Sequence, residues 1–245
     1  MKEAMVSTVG LIPARGGSKG LINKNLKFID GIPLIAHSIR AGLQSNLDRV
    51  IVMTDSLEIQ RVALEYGAEC PVLRPEATAT DSAHMFMVYK FAMKFLEARN
   101  ELPHSFCALL PTTPLRRVSQ INESVEKIQS GKFDWVFTVN EMEHHPYRAM
   151  KVENGDRLVP FHQVDAHTLW SNRQELPNVV RFNGGTMCGL AQHALFNEEY
   201  NIDGLNTFQS QVGYVYMSQE DAYDIDTEFD LEIVSSILKR RSRDT

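Results

Sequence analysis

From Val9 to Val139, short apolar runs rich in β-branched residues alternate with stretches of helical periodicity. That alternation restricts the chain to a small set of folds. Residues 9–13 read as a first strand, and the glycine-rich stretch 16–20 follows at its end. Pro33 suits the first turn of a helix running to about Gln44. Residues 50–54 are a second β-branched run, and 57–66 are helical up to the stop at Gly67. Val72 and Leu73 end a short candidate strand. A long helix is predicted from about Ala83 to Arg99, with Asp81 or Ser82 as its cap. Residues 106–110 are short and apolar, 120–129 look helical before Gly131, and 135–139 read as a buried strand.

Strands separated by helices predict an α/β, Rossmann-like fold: a mostly parallel sheet with helices on both faces. The handed crossover places every strand-to-helix loop at one sheet edge, and ligands bind outside the carboxyl ends of the strands. Three loops meet that condition, at 14–25, 54–56 and 111–117.

After Asn140 the rhythm breaks. Asn154-Gly155 joins two short runs, 149–153 and 158–161, as a hairpin turn does. Residues 163–177 are polar and irregular, which inside a compact domain marks a segment that meets a partner or a substrate. Regular structure returns at 186–190 and 212–217, and Thr227 is placed to cap a last helix through Arg240. The expectation is one domain over residues 1–245, with 140–182 as a smaller excursion serving dimerisation or substrate binding.

The formal net charge of −6 argues against a nucleic-acid scaffold, which carries a basic face. No apolar run approaches the ~20 residues that cross a bilayer, and residues 1–7 lack the hydrophobic stretch of a secretory signal. Cys70, Cys107 and Cys188 are odd in number and far apart, which suits a reducing cytoplasm. Neither nucleic acid nor membrane is therefore expected as a partner.

The motif Leu11-Ile12-Pro13-Ala14-Arg15-Gly16-Gly17-Ser18-Lys19-Gly20 is followed by Lys24 and Asn25. Its glycines permit backbone conformations that turn N–H groups toward one point, and Arg15, Lys19 and Lys24 add positive charge. Such a loop leaving a strand suits two or three phosphates. It lacks the Gly-Lys-Ser/Thr order of a Walker A loop and the GxGxxG pattern of a dinucleotide fold. Near the other end, Asp224 and Asp226 are two residues apart, so on an extended chain both side chains face one way. Two carboxylates so placed can hold Mg²⁺ together with substrate phosphates. The competing reading is that acidic residues there simply favour the positive end of the next helix. Asp230 takes the capping-box place opposite Thr227. His144 and His145 would point to opposite sides of a strand, so a loop or interface role is expected rather than a shared metal. The basic run Lys239-Arg240-Arg241 with Arg243 is expected to be solvated.

These residues resemble the acylneuraminate cytidylyltransferase family, which activates sialic acid and related nine-carbon sugar acids with CTP. Leu73-Arg74-Pro75-Glu76 with Thr80-Asp81-Ser82 is similar to the family's second nucleotide segment, and Pro111-Thr112-Thr113-Pro114-Leu115-Arg116 to its third. Glu143-His144-His145-Pro146, Arg173-Gln174-Glu175-Leu176-Pro177, and Arg181 with Asn183-Gly184 resemble the sugar-binding half. Asp224-Ile225-Asp226-Thr227-Glu228 matches the acidic motif. The resemblance implies attack by the sugar acid's anomeric hydroxyl on the α-phosphate of CTP, releasing pyrophosphate. It assigns Ala14, Arg15, Gly16, Gly17, Ser18, Lys19, Asn25, Arg74, Asp81 and Ser82 to the nucleotide. Arg15, Lys24 and Asp224 would be catalytic, and Asp224 and Asp226 would bind Mg²⁺. Leu110, Arg148, Arg173 and Gln174 would meet the sugar, and a homodimer is implied. Many sialic-acid members carry Gln where this chain has Leu110, which loses one hydrogen-bonding group and leaves the sugar open. The proton acceptor stays open too, with Asp224 one candidate. Two other classes stand beside this reading. A dinucleotide oxidoreductase would explain Asp55 as a ribose-binding acid but not the glycine pattern, and a non-catalytic nucleotide-binding protein would not need the paired aspartates.

Overall fold

A computed structural model describes residues 7–17, 21–75, 78, 85–195 and 211–243. Six strands form the main sheet: β1 (Thr8–Pro13), β4 (Arg49–Met53), β5 (Ser105–Ala108), β6 (Trp135–Glu141), β9 (Val180–Leu190) and β10 (Val212–Tyr216). Their spatial order is β10-β6-β9-β5-β1-β4. β1 pairs in parallel with β4 and β5, and β10 with β6. β9 runs antiparallel between β5 and β6, so the other five strands share one direction. The mostly parallel sheet is as the sequence predicts. The antiparallel insertion is an addition to it.

Alternation along the strands feeds two cores. Val50, Val52 and Ile12 pack with Ile35 and Ile39 of α1 (Leu34–Leu43), Ile59 and Val62 of α2 (Leu57–Glu65), and Ile121, Val125 and Ile128 of α4 (Val118–Gln129). Val9, Leu11, Ile51 and Met53 point the other way, to α3 (Met85–Ala98) and α6 (Ala191–Leu195). Strands apolar on both faces are what a sheet covered by helices on each side requires. Each fully buried Leu or Ile contributes on the order of 1.5–3 kcal/mol. On the α3 side, Trp135 anchors an aromatic group, with Phe86 and Phe106 edge-on at 5.7 and 6.1 Å.

The last helix, α7 (Glu228–Arg241), covers neither face. Its Val234 joins Leu21, Ile29, Leu34, Leu115 and Ile225 in a third cluster at the carboxyl edge. Thr227 caps it, accepting from the Asp230 amide at 3.2 Å, while Asp230 accepts from the Thr227 amide at 2.8 Å. This is the expected box with Asp in the Glu position.

Between Glu141 and Val180 the chain leaves the sheet. β7 (Met150–Glu153) and β8 (Arg157–Pro160) form the expected hairpin, with Asn154 and Gly155 at φ 54° and 86°. Two residues in the left-handed region are what a tight hairpin turn demands. The stretch 163–177 carries α5 (Ala166–Trp170) and a 3-10 turn, Arg173–Glu175, where an irregular segment was expected.

Three further expectations are corrected. Residues 72–73 do not end a strand. Pro71 and Pro75 lack the N–H groups a ladder needs, and pairing reduces to one bridge between Glu69 and Ile51. Pro33 ends the two-residue strand β3 (Ile32–Pro33) and caps α1 from outside the helix. β9 begins six residues before the predicted start at Thr186, because Arg181, Asn183, Gly184 and Gly185 break its apolar pattern. Among the described residues no helix is long and apolar enough to cross a membrane.

Candidate active site

The carboxyl ends of β1, β4, β5, β6 and β10 share one edge, and the start of β9 lies among them. The loop after β1 is tied to the loop after β4. The Ala14 amide donates to the Met53 carbonyl at 3.0 Å, and the Gly16 amide to Asp55 Oδ1 at 3.0 Å. A side chain at Gly16 would meet Ser56 Cβ at 3.0 Å, so glycine permits this approach. Neither Gly16 nor Gly17 has φ in the left-handed region, a correction to the expected reason for glycine here. Arg15 is partly buried, and its carbonyl accepts from the buried Asn25 side chain at 3.1 Å. Ser18 and Lys19 lie outside the described residues, as do Asp81 and Ser82.

Arg74 enters from the irregular stretch after β4. Its amide donates to the Thr54 carbonyl at 2.8 Å, its guanidinium lies 3.6 Å from Asp55, and its side chain is almost wholly buried. Burial pulls this guanidinium below its ordinary pKa range, Asp55 pulls it back, and neighbouring Arg15 pulls it down again. Asp55 thus holds the loop amide of Gly16 and faces Arg74, a positioning role in place of the ribose contact considered for an oxidoreductase.

The two ends of the chain meet at Lys24. Its ammonium donates to the Ile225 carbonyl at 2.8 Å and to Asp226 Oδ1 at 3.0 Å. Ile225 is fully buried and its amide donates to the Thr112 carbonyl at 2.9 Å, while Asp224 and Asp226 on either side are exposed. Asp224 and Asp226 are thus both exposed on either side of a buried residue, in a segment that forms no strand. The Thr113 hydroxyl donates to Asp224 Oδ1 at 3.4 Å. Hard oxygen ligands with cations nearby for phosphate suit a divalent ion that completes its shell from substrate and water. Among the described residues no cluster of three or more metal-ligating side chains exists, so a closed protein cage is not on offer.

Below this edge lies Arg116, 5% exposed. It donates to the Ser38 hydroxyl at 2.7 Å, to the Leu110 carbonyl, and to the Gly184 carbonyl at 3.2 Å. Burial brings its pKa down to about 10, so it stays charged at neutral pH. Gly184 belongs to a bulge. Phe137 and Val139 of β6 pair with Met187 and Phe182 of β9, so Thr138 faces the four residues 183–186. A Cβ at Gly184 would lie 2.5 Å from the Thr113 hydroxyl. Asn183 accepts from the Gly185 amide at 3.0 Å and donates to the buried Asn140 at 3.1 Å. Leu110 sits partly buried beside Gly184.

The remaining expected sugar residues lie in the excursion. Arg148 and Arg173 line a cavity of about 460 Å³ with Glu143, His144, His145, Phe161 and His162. Arg148 donates to the Ser171 carbonyl, and Arg173 to the Met142 carbonyl at 3.2 Å. Gln174 is exposed. None of the three is hydrogen-bonded, among the described residues, to the loops that hold Arg15, Lys24 and Asp224. His145 Nδ1 accepts from the Tyr147 amide and its Nε2 meets the Pro177 carbonyl at 3.2 Å, a loop-holding role as expected.

The basic end of α7 is not simply solvated, which corrects another expectation. Arg241 donates to Asp221 at 2.5 Å, to Glu220 at 2.7 Å and to the Leu115 carbonyl at 2.9 Å. Asp221, 3% exposed, also accepts from Arg117 at 3.0 Å and Gln120 at 2.9 Å. The helix is thereby clasped both to the loop after β5, at Leu115, and to Glu220 and Asp221, just upstream of Asp224. Asp55, Thr113, Arg116 and Asp221 escaped selection as site residues because their weight comes from burial and partners. For Arg116 the signals available were a charged residue inside an apolar Pro-Leu-Arg stretch and its place in the segment that resembles the family's third nucleotide motif.

The cytidylyltransferase family model matches residues 9–233. The N-acylneuraminate cytidylyltransferase of Escherichia coli is 31% identical over 96% of this chain, which spans only 53% of that relative's length. The pseudaminic acid cytidylyltransferase of Campylobacter jejuni is 29% identical over 94% of this chain and 95% of its own. Among solved structures, a CMP:2-keto-3-deoxy-manno-octonic acid synthetase complexed with CTP superposes with a TM-score of 0.72. At 17% identity over 96% of this chain and 99% of the other, that likeness speaks for the fold.

Proposed function

The chain belongs to the cytidylyltransferase family, and on that premise we propose that it transfers CMP from CTP to the anomeric hydroxyl of a nine-carbon, sialic-acid-like sugar acid. The observation that carries this reading is the Lys24 contact, which brings the loop after β1 against the Asp224-Asp226 segment from the far end of the chain. That contact sets one cation of the loop against the segment that carries two exposed carboxylates.

In the proposed reaction the hydroxyl oxygen attacks the α-phosphorus, the bond to the bridging oxygen of the β-phosphate breaks, and pyrophosphate leaves. Both reactants are anions, so cations must offset their repulsion. Arg15, Lys19 and Lys24 serve the phosphates, together with Gly17 and Ser18, while the Gly16 amide is held by Asp55. Asn25 and Arg74 hold the nucleotide side, together with Asp81 and Ser82. Asp224 and Asp226 hold Mg²⁺, which supplies charge stabilisation on the phosphate oxygens when bound. Asp224, held by Thr113, is also the candidate acceptor of the hydroxyl proton. Leu110 gives the sugar side an apolar wall where a Gln would offer a hydrogen bond.

Arg148, Arg173 and Gln174 meet the sugar acid in a homodimer. That none of them is hydrogen-bonded, among the described residues, to the loops that hold Arg15, Lys24 and Asp224 supports this, as do the exposed apolar groups of the excursion. Val152, Leu158, Phe161 and Trp170 are 65, 63, 63 and 82% exposed. Three buried free thiols agree with a reducing, cytoplasmic setting.

Pyrophosphate release from CTP and Mg²⁺ across a panel of nine-carbon sugar acids tests the proposal. Release that depends on one of them supports it. Release with none, under conditions where CTP binds, favours a nucleotide-binding protein without transfer activity.

A further inference from the structure

We propose that Arg116 is a positioning residue that holds the sugar-acid side of the site in register with Asp224. The inference rests on the transfer reaction above and assigns a role within it.

Arg116 is 5% exposed, so it does not itself reach a substrate. Its planar fork fixes three groups on three different elements: the Ser38 hydroxyl of α1 at 2.7 Å, the Leu110 carbonyl after β5, and the Gly184 carbonyl of β9 at 3.2 Å. A guanidinium sets the relative positions of such acceptors, where a single ammonium can satisfy only part of the set. Among the described residues the buried Nε has no hydrogen-bond partner, so the side chain is not fully satisfied there. A buried charge is weak evidence for stability, and here it falls where two segments need a fixed separation.

Among the described residues no other hydrogen bond bridges 109–113 and 183–186. Residues 183–186 bulge from the sheet opposite Thr138, where side chains replace the ladder: the Thr186 amide donates to the Thr138 hydroxyl at 2.7 Å, and Asn183 accepts from Gly185 and donates to Asn140. Leu110 lies two residues beyond the end of β5, and its carbonyl also accepts from the Ser38 hydroxyl and the Thr113 amide, each at 3.3 Å. Gly184 packs so closely on Thr113 that no Cβ fits, and the Thr113 hydroxyl donates to Asp224. Arg116, Gly184, Thr113 and Asp224 thus form one contiguous line from the floor of the site to its carboxylate. Movement of the bulge changes both the wall at Leu110 and the approach of sugar acid to Asp224, while the contacts of Arg15, Asn25 and Arg74 stay in place.

Steady-state kinetics on Arg116→Lys tests this. The Lys variant keeps the charge and loses the fork. The expected result is a rise of about tenfold in KM for the sugar acid, with KM for CTP within about twofold of the parent. Equal rises in both constants, or no change in either, would overturn the proposal. Ser38→Ala removes one acceptor and keeps the arginine, and is the guard against misfolding. It should raise the sugar-acid KM by about threefold, and an unchanged value would count against the proposal. Amide hydrogen exchange provides a readout that needs no turnover. Faster exchange at 183–186 in Arg116→Lys, with 49–53 unaffected, supports the role, and unchanged exchange at 183–186 contradicts it. A parent protein that turns over no sugar acid defeats the transfer reading, and the exchange result still decides the place of Arg116.

Discussion

Lys24 joins two regions separated by 201 residues in sequence, and its side chain is 14% exposed while that of its partner Asp226 is 76% exposed. An ion pair with so exposed a partner contributes about 1 kcal/mol or less to stability. A cation set against a phosphate in a partly enclosed site contributes more to a transition state. Lys24→Met should therefore lower kcat/KM by about 10²-fold or more while shifting Tm little. A large fall in Tm with activity preserved would assign the lysine to the fold instead. Asp221 is the opposite case. Burial pushes its carboxyl up, but hydrogen bonds from Arg117, Arg241, Gln120 and Ser218 outweigh that and hold it below the usual range. Its contribution is complete above the unfolded-state pKa of about 3.9 and is lost as pH falls through the lower folded-state value. Asp221→Asn should be less stable by about 2–3 kcal/mol at pH 7, and the gap should narrow below about pH 4. Denaturant titrations across pH check this. A constant gap would mean that the charge is not what matters.

At the scale of elements, β9 carries the part of the fold that the sequence hides. The alternation of strands and helices was legible because each strand feeds two covered faces and ends at a turn signal. β9 begins with Val180-Arg181-Phe182-Asn183-Gly184-Gly185, which has no sustained apolar alternation, and spacing does not reveal that it inserts antiparallel. The glycine-rich basic loop after β1 and the paired aspartates were legible as residue types at a spacing. The contacts of Arg116, Asp221 and Arg241 were not, because a charged residue reads as exposed until its partners are known. Two glycines of β9 separate packing from catalysis. A Cβ at Gly189 would lie 2.4 Å from the Trp135 ring, and one at Gly184 would lie 2.5 Å from the Thr113 hydroxyl. Both Ala variants should lose about 1–3 kcal/mol by overpacking. Gly184→Ala alone should also lower kcat, since it displaces the side chain that holds Asp224. Equal kcat for the two folded variants would remove Thr113 from the argument.

For the whole molecule, the residues proposed for the sugar and those proposed for the nucleotide share no hydrogen bond among the described residues. The sheet edge assembles Arg15, Lys24, Asn25, Arg74, Asp224 and Asp226, while Arg148 and Arg173 remain in an excursion that exposes Trp170 and Phe161. A homodimer that buries this apolar surface would bring them to a neighbour's site. Sedimentation velocity at assay concentration should show a dimer, and Trp170→Glu should shift it toward monomer with loss of activity. An active monomer would contradict that part of the reading. The central claim is the transfer itself, and ³¹P NMR of CTP, Mg²⁺, sugar acid and enzyme tests it most directly. The account predicts that the three triphosphate signals decline together while one phosphodiester signal and pyrophosphate rise in equal amounts. Unchanged CTP, or conversion to the phosphomonoester CMP whether or not a sugar acid is present, would contradict it.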